Sequence, residues 1–298
     1  MLLVLAVLFL GCSLFVGNFL TVVNLRGLAL AVSTIGMVSC TMMFCLAAGD
    51  FDLSVGSVVA FAGVLGAAVM NATGSIALGF GAALGAGALI GLFNGMLVAR
   101  LGINALIATL ASMQIVRGLG LIIPDGKPIG IRIEAFYALG NTAWLGVPVP
   151  VWLTATCFVI FGGLLNLTIF GRNALAIGGN KEAAHLAGVP VTRIKVVIFT
   201  LQGIVAAFAG LVLASRMTSG QPNTSQGLEL EVISACVLGG VSLSGGVARI
   251  GAVIAGVLIM GLVQNAMNLL NIPPFYQYVA RGCILLGAVM LDRLKQRR

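Results

Sequence analysis

Gly171–Lys195, with the sequence GRNALAIGGNKEAAHLAGVPVTRIK, is a polar and basic island in a chain that is otherwise strongly apolar. The chain is 60% hydrophobic with a mean hydropathy of +1.14, and only 8% of its residues are charged. Soluble domains carry roughly 25% charged residues. Several apolar runs reach the roughly 20 residues that cross a bilayer as a helix. The composition therefore predicts an all-α, polytopic membrane protein, with a single transmembrane domain over residues 1–298 and no soluble catalytic domain.

A short helix inside the island, over about residues 181–187, has both of its ends marked. Asn180 is a favourable N-cap, and Glu182 lies in the first turn, where the helix dipole favours a negative charge. Gly188 suits the left-handed conformation that closes a helix, and Pro190 prevents its continuation. Because a helix of two turns is marginal in water on its own, we interpret it as a contact element for another protein.

Hydropathy predicts about ten membrane helices, over residues 1–16, 28–47, 54–71, 75–99, 104–123, 150–168, 194–214, 228–241, 249–270 and 274–292. Lys and Arg concentrate on the cytoplasmic side of membrane proteins. That rule places the island, as a loop over about residues 171–193, in the cytoplasm with the basic tail from Arg293 onward. The loops Pro124–Pro148 and Thr218–Gly227 then lie outside. This orientation depends on counting the short 228–241 segment as a crossing.

Two acids lie among glycines in Gly49–Gly56, with the sequence GDFDLSVG. Irregular backbone near a membrane requires cover from protein or contact with water. Asp50 and Asp52 are therefore candidates for a conformational hinge or gate. The alternative is that Asp52 or Ser54 caps the following helix. No third ligand for a cation is evident, and no metal site is expected.

Uncharged amides form a stripe on the helix predicted over 249–270, where Gln264, Asn268 and Asn271 follow helical spacing with Asn265 beside them. Amides donate and accept hydrogen bonds, so such a stripe suits a hydroxyl-rich solute in a water-filled path. The alternative is hydrogen bonding between helices. Further candidate contributors to the path are Asn94, Asn104 and Gln114.

Two arginines, Arg117 and Arg281, fall several residues inside predicted membrane helices and require partners there. Glu229 and Glu231 are the acids at comparable depth. We therefore predict that these four residues include an ion-pair lock that holds an outer gate.

The chain has little that an enzyme would need. Its single histidine, His185, lies on the island helix, and the sequence contains neither a nucleotide-binding loop nor a recognisable nucleophile–base pair. Energy for active transport would therefore come from an ion gradient or from a separate ATPase. The predicted mid-helix segments hold almost no acids of the kind that coupled carriers use, which favours the ATPase.

The chain resembles the permease subunits of bacterial ABC importers. Glu182-Ala183-Ala184 followed by Gly188 resembles the EAA-type signature of this family. Residues 49–56, 170–180 and 237–246 resemble motifs of the branch that imports ribose and arabinose. Residues 104–110, 215–222 and 265–272 are closest to the L-arabinose type. The resemblance assigns ATPase coupling to Gly171, Arg172, Asn180, Glu182, Ala183, Ala184 and Gly188.

The resemblance implies the fold of the vitamin B12 importers and a permease that works as a homodimer in the bacterial inner membrane. It implies a periplasmic sugar-binding protein and an ATPase subunit with two nucleotide-binding halves, which holds ATP and Mg²⁺. This chain would bind no cofactor and no nucleic acid, and it would contact membrane lipid. The expected substrate is L-arabinose, with ribose, xylose, galactose, a nucleoside or a branched-chain amino acid as alternatives within the family. An ion-coupled carrier and a facilitator remain the alternatives outside it. The family usually has a cytoplasmic leader, and we expect one before Met1.

Overall fold

The computed structural model describes residues 1–296, with side chains for residues 1–290. The basic side chains from Arg293 onward, used for the predicted orientation, lie outside the described residues. The helices are α1 (Leu2–Phe15), α2 (Val22–Ala47), α3 (Val55–Thr73), α4 (Ile76–Ala99), α5 (Ala105–Ile122), α6 (Ala138–Asn141), α7 (Val149–Leu167), α8 (Ile169–Gly179), α9 (Lys181–Leu186), α10 (Val191–Arg216), α11 (Leu228–Leu238), α12 (Ile250–Leu269) and α13 (Pro274–Gln296). The strands have two residues each: β1 (Ile129–Gly130), β2 (Ala143–Trp144), β3 (Val147–Pro148) and β4 (Ser219–Gly220).

Within this described range, seven helices are long and apolar enough to cross a membrane: α2, α3, α4, α5, α7, α10 and α12. The all-helical prediction is therefore confirmed. The helix predicted over residues 28–47 begins earlier, at Val22, because Thr21 provides an N-cap. Its hydroxyl accepts a hydrogen bond from the backbone N–H of Asn24 at 3.3 Å. The apolar pattern alone did not reveal this first turn.

Helix α10 lies at the centre of the bundle and packs against α2, α3 and α4. Its contact with α4 is close because glycines recur every four residues along α4, at Gly87, Gly91 and Gly95. A Cβ atom at Gly91 would overlap the backbone of Phe199 on α10. Small residues at this spacing let two helix backbones approach each other, which is the usual basis of tight helix packing in lipid.

The island differs from the predicted loop because its first part is helical. Thr168 begins α8, and its hydroxyl accepts a hydrogen bond from the backbone N–H of Gly171 at 3.3 Å. α8 ends at Gly179, and α9 starts two residues later, after Asn180. The island therefore contains two consecutive helices, α8 and α9, and the start of α10, rather than one helix in a loop.

The stretch from 218 to 238 is helical only in its second part. After α10, the chain runs along α3 as an irregular segment of turns with the two-residue strand β4. A Cβ at Gly220 would meet the backbone of Gly63 at 2.6 Å, and a Cβ at Gly56 would meet the carbonyl of Ser225 at the same distance. The seven steps of helix from 56 to 63 rise about 10 Å. The irregular segment 218–227 thus runs beside α3, and α11 continues from it.

The end of the bundle opposite the island is covered by short elements. β1 pairs antiparallel with β4, with Ile129 opposite Gly220, and so joins the two predicted outer loops. Trp144 and Trp152, the two tryptophans of the chain, form an edge-to-face pair at this end. Tryptophan is enriched where a bilayer meets water, which fits a membrane boundary at this level.

Candidate functional site: a junction at the island and a charged cluster within the bundle

Helix α9 has the boundaries and caps that the sequence indicates. It spans Lys181–Leu186, and the side-chain oxygen of Asn180 accepts a hydrogen bond from the backbone N–H of Ala183 at 2.9 Å. Gly188 has a φ of +85°, the left-handed conformation that ends a helix. Ala184 is buried against the bundle, whereas Glu182 is exposed. α9 is therefore anchored on one face and free for contact on the other.

The remaining residues assigned to ATPase coupling divide in the same way. Arg172, Asn180, Ala183 and Gly188 are exposed, and Gly171 is buried. A Cβ at Gly171 would overlap the backbone of Leu165 at the end of α7. Gly171 therefore allows α8 to fold back closely on α7, while the exposed residues form a surface around α9.

Three glycine-rich stretches of the sequence meet at Gly178 of α8. We call this meeting point the junction and define it as Ala47, Gly178 and Gly246 with their backbone contacts. The backbone N–H of Gly246 donates to the carbonyl of Ala47 at 2.9 Å. A Cβ at Gly178 would overlap that same carbonyl and the Gly246 nitrogen. The junction thus joins the end of α2, the helix α8 and the loop between α11 and α12 by direct backbone contact.

A buried ion pair lies beside the junction. The ammonium group of Lys195, in the second turn of α10, is 2.8 Å from Oδ2 of Asp50. Each side chain is only 10% exposed. The sequence singled out Asp50, but Lys195 was counted only as one of the basic residues of the island. A buried, isolated charge is costly, and this rule could have suggested that Asp50 has a basic partner.

Asp52 holds the connection between α2 and α3 in shape. Its Oδ1 accepts hydrogen bonds from the backbone N–H of Ser54 at 2.9 Å and from the Ser54 hydroxyl at 2.6 Å. Ser54 stands at the N-cap of α3 without a side-chain capping hydrogen bond. Burial raises the pKa of the Asp52 carboxyl to about 6, although the hydrogen bonds from Ser54 act in the opposite direction. Burial also raises the pKa of Asp50, against the nearby charge of Lys195.

The same connection is tied to α4 and α5. The amide of Asn94, on α4, donates to the Ser54 hydroxyl at 2.9 Å, and the hydroxyl of Ser112, on α5, donates to the carbonyl of Asn94. The backbone N–H of Leu53 donates to the hydroxyl of Thr109 at 3.1 Å. Asn94 is completely buried. The structure therefore places Asn94 inside a hydrogen-bond network within one chain, where it uses both ends of its amide.

The four charged residues of the predicted lock lie around the start of α11. Arg281 pairs with Glu231 through Nη1 and Oε1, and its guanidinium lies 5.5 Å from the centre of the Tyr278 ring. Arg117 instead donates to backbone carbonyls of the irregular segment 218–227, at 3.1 Å from Pro222 and 2.8 Å from Thr224. Arg117 therefore stabilises irregular backbone that a bilayer would otherwise leave unsatisfied.

Glu229 is placed differently from Glu231. One of its carboxylate oxygens, Oε2, is buried and has no hydrogen-bond partner among the described residues. It lies against Gly56, where a Cβ on the glycine would overlap it. The ion pair of the cluster thus involves Glu231 and Arg281, and Glu229 packs on the opposite side of the α11 start.

The amides predicted for a translocation path are not brought together within one chain. Asn265 forms a reciprocal amide pair with Asn24 of α2, at 2.7 and 3.0 Å, and Asn268 accepts from Gln277 at 2.8 Å. Asn104 caps α5 by accepting from the N–H of Leu106. Gln114 is exposed on α5, and Gln264 is half-buried on α12. No group of three or more His, Cys, Asp or Glu residues that could hold a metal occurs in the part of the chain that the structure describes.

The fold and these contacts define a multi-pass helical membrane protein whose buried polar contacts lie where helices and loops meet. Residues 24–289 match the family described as "Branched-chain amino acid transport system / permease component", and the chain belongs to this family of permeases. It is a multi-pass protein of the bacterial inner membrane. The related proteins are permease subunits of transporters and not enzymes.

Similar proteins cover the whole chain. It is 64% identical to the L-arabinose transport system permease protein AraH of Escherichia coli strain K12, over 100% of this chain and 90% of that protein. It is 56% identical to the L-arabinose ABC transporter permease protein AraH of Azospirillum brasilense, over 98% and 87% of the two chains. It is 41% identical to the ribose import permease protein RbsC of Bacillus subtilis strain 168, over 93% and 87%. The comparison with solved structures gave no significant match.

Proposed function

We propose that this chain is the permease subunit of a bacterial ABC importer that moves L-arabinose across the inner membrane. The observation that supports the class of importer is α9, a capped and exposed helix that packs on the bundle through Ala184 and starts directly after α8, the helix that ends at the junction. The observation that supports the substrate is the similarity over the full chain to two L-arabinose permeases.

In this proposal the complex contains two copies of the chain, a separate ATPase with two nucleotide-binding halves and a periplasmic sugar-binding protein. Each chain forms one transmembrane domain with ten crossings and a fold like that of the vitamin B12 importers. α1, α13 and the half-helical crossing of segment 218–227 with α11 add three crossings to the seven long apolar helices. The island then lies in the cytoplasm.

The proposed mechanism uses the two ends of the bundle differently. The loaded binding protein docks on the loops Pro124–Pro148 and Thr218–Gly227, which are joined by the pairing of β1 with β4. ATP and Mg²⁺ bound by the partner close its two halves, and α9 transmits this movement to the bundle. Each partner shifts the permease between states only through its different affinity for those states.

The charged cluster and the amides have separate roles in this proposal. Asp50, Asp52, Arg117, Glu229, Glu231 and Arg281 belong to hinges and gates. The sugar passes between the two copies along weak amide contacts, to which Gln114 is available because it lies on the exposed surface of α5, which is otherwise apolar. A polar side chain on such a surface is costly in lipid, and a water-filled path between subunits removes that cost.

Reconstitution tests the proposal. The chain is inserted into liposomes with its ATPase and binding protein, and uptake of radiolabelled L-arabinose is measured with and without ATP. We expect concentrative uptake that requires ATP and all three proteins. Uptake driven by an ion gradient alone would indicate a secondary carrier, and equilibration without accumulation would indicate a facilitator. Labelled D-ribose serves as the matched substrate, because a ribose permease is among the similar proteins. Preferential uptake of ribose would overturn the proposed substrate.

A further inference from the structure

The ion pair between Lys195 and Asp50 connects two parts of the chain that have different tasks in the proposed importer. Lys195 lies only four residues after the start of α10, and a turn of four residues, 187–190, joins α10 to α9. Asp50 belongs to the short connection between α2 and α3. The two charged groups are 2.8 Å apart and almost completely shielded from solvent. Movement of α9 and the start of α10 therefore acts on the α2–α3 connection through this contact.

We propose that Lys195 is a positioning residue of the transport cycle, and that its ion pair with Asp50 transmits the movement of α9 to the interior of the bundle. This inference rests on the proposed function and adds to it a specific route between the ATPase surface and the membrane helices.

From Asp50 the route follows the backbone for two residues to Asp52 and then continues by hydrogen bonds. Asp52 accepts from Ser54, and Ser54 accepts from Asn94 on α4. Asn94 in turn accepts from Ser112 on α5. A displacement of Asp50 therefore reaches two membrane helices through polar contacts whose members are all buried. Buried polar networks of this kind have few alternative arrangements, so they move as a unit.

The route ends at the charged cluster. Ser112 and Arg117 lie on α5, little more than one turn apart, and Arg117 donates to the carbonyls of Pro222 and Thr224. This irregular segment leads directly into α11, whose Glu231 pairs with Arg281. A physical path from the island to the predicted gate is thus present within one chain. Spatial continuity alone does not establish coupling, and a measurement must show that the first contact controls the last.

A purely structural ion pair is the competing explanation. Buried ion pairs contribute little net stability, and replacement of both partners by uncharged residues of similar size is often neutral. Removal of only one partner is damaging because it leaves a buried charge. The variant in which both charges are removed therefore separates the two explanations, since it leaves no charge unpaired but abolishes the connection.

The test uses the complete complex in proteoliposomes and four variants: Asp50→Asn, Lys195→Met, the double variant Asp50→Asn/Lys195→Met, and the swap Asp50→Lys/Lys195→Asp. Arg193→Met is the matched control, because Arg193 is an exposed basic residue one half-turn earlier on the same helix. The readout is the ratio of sugar molecules imported to ATP molecules hydrolysed, with assembly followed by size-exclusion chromatography.

We expect the double variant to assemble and to hydrolyse ATP, while its transport ratio falls at least tenfold. The swap should recover a part of the ratio, and Arg193→Met should match the unsubstituted complex. A normal ratio in the double variant would overturn the proposal. So would a double variant and a swap that both fail to assemble, because the ion pair would then serve folding.

A second readout makes the test independent of the transported sugar. Spin labels on exposed His185 of α9, which is not among the residues assigned to ATPase coupling, and on exposed Ile107 of α5 report the distance between these helices with and without ATP. We expect an ATP-dependent change in distance that is lost in the double variant and kept in Arg193→Met. If the unsubstituted complex shows the change but imports no L-arabinose, the proposed substrate is wrong and the coupling role stands. An unchanged response in the double variant would overturn the coupling role alone.

Discussion

Charge reversal at Arg281 tests the charged cluster quantitatively. The structure pairs this arginine with one of the two acids at the start of α11 and not with the other. Arg281 pairs with Glu231, and the two side chains are 23% and 13% exposed. Two unit charges about 4 Å apart interact by about 4 kcal/mol at the effective dielectric constant of a protein. Breaking a buried pair costs about 3–5 kcal/mol, because one charge is left uncompensated. Arg281→Glu should therefore lower the free energy of unfolding by about 4 kcal/mol and abolish uptake.

The compensating reversals decide which acid is the partner. Glu231→Arg in the Arg281→Glu background restores an ion pair, so we expect part of the stability and of the uptake to return. Glu229→Arg should not rescue, because Glu229 packs against Gly56 and Arg281 does not pair with it.

The assay is chemical denaturation of the purified chain in detergent for the single and double variants, combined with uptake into cells. A double-mutant cycle should give a coupling of about 3 kcal/mol for the 231–281 pair and less than about 1 kcal/mol for the 229–281 pair. Equal coupling for both acids, or rescue by Glu229→Arg alone, would refute the arrangement seen at the start of α11.

Three further substitutions test the island and the bundle. Gly178→Val forces a side chain into the junction, so it should lower the free energy of unfolding by about 1–3 kcal/mol and prevent ATPase binding. Gly179→Val is the control, because a Cβ there meets no atom within 4 Å, and equal effects of the two variants would argue against the junction. Asn180→Ala removes the N-cap of α9 and about 1 kcal/mol of its helix stability, so it should weaken ATPase binding about fivefold in a titration, whereas Asn180→Asp keeps the cap. Unchanged binding in Asn180→Ala would mean that α9 needs no cap. Gly91→Leu separates α4 from α10 and should lower the thermal stability in detergent, whereas Gly85→Leu, on the open side of α4, should not. Equal thermal stability of the two variants would contradict the close contact between α4 and α10.

Local features of the fold were predictable because their causes lie within a few residues of each other. The caps of α9, Asn180 and Gly188, bracket a single helix, and the long apolar runs mark membrane helices through their own composition. α8 escaped prediction because the glycines at 171, 178 and 179 disfavour a helix in isolation. The signal that could have revealed it is Thr168, which begins the helix as an N-cap.

Contacts between distant parts of the sequence were less predictable. Nothing near Asp50 in the sequence specifies Lys195 as its partner, and Asn94 cannot be distinguished from a path-lining amide until Ser54 and Ser112 are brought to it. The segment 218–227 was predicted as an outer loop because it has neither apolar periodicity nor length. Its position along α3 requires the absence of a side chain at Gly56. It also requires a hydrogen-bond donor for its backbone carbonyls, which Arg117 provides only in the folded bundle.

The proposed crossing by segment 218–227 and α11 has a consequence for how the protein enters the membrane. The 11 residues of α11 are too few to span the hydrocarbon core alone. The carbonyls of Pro222 and Thr224 in the irregular backbone before them lack a donor until Arg117 is in place. This stretch is therefore a poor substrate for the insertion machinery when it emerges from the ribosome. We expect this stretch to reach its final position late in biogenesis, after α3 and α5 have folded and can pack against it. It should also be the first region that quality-control proteases recognise when either helix is damaged.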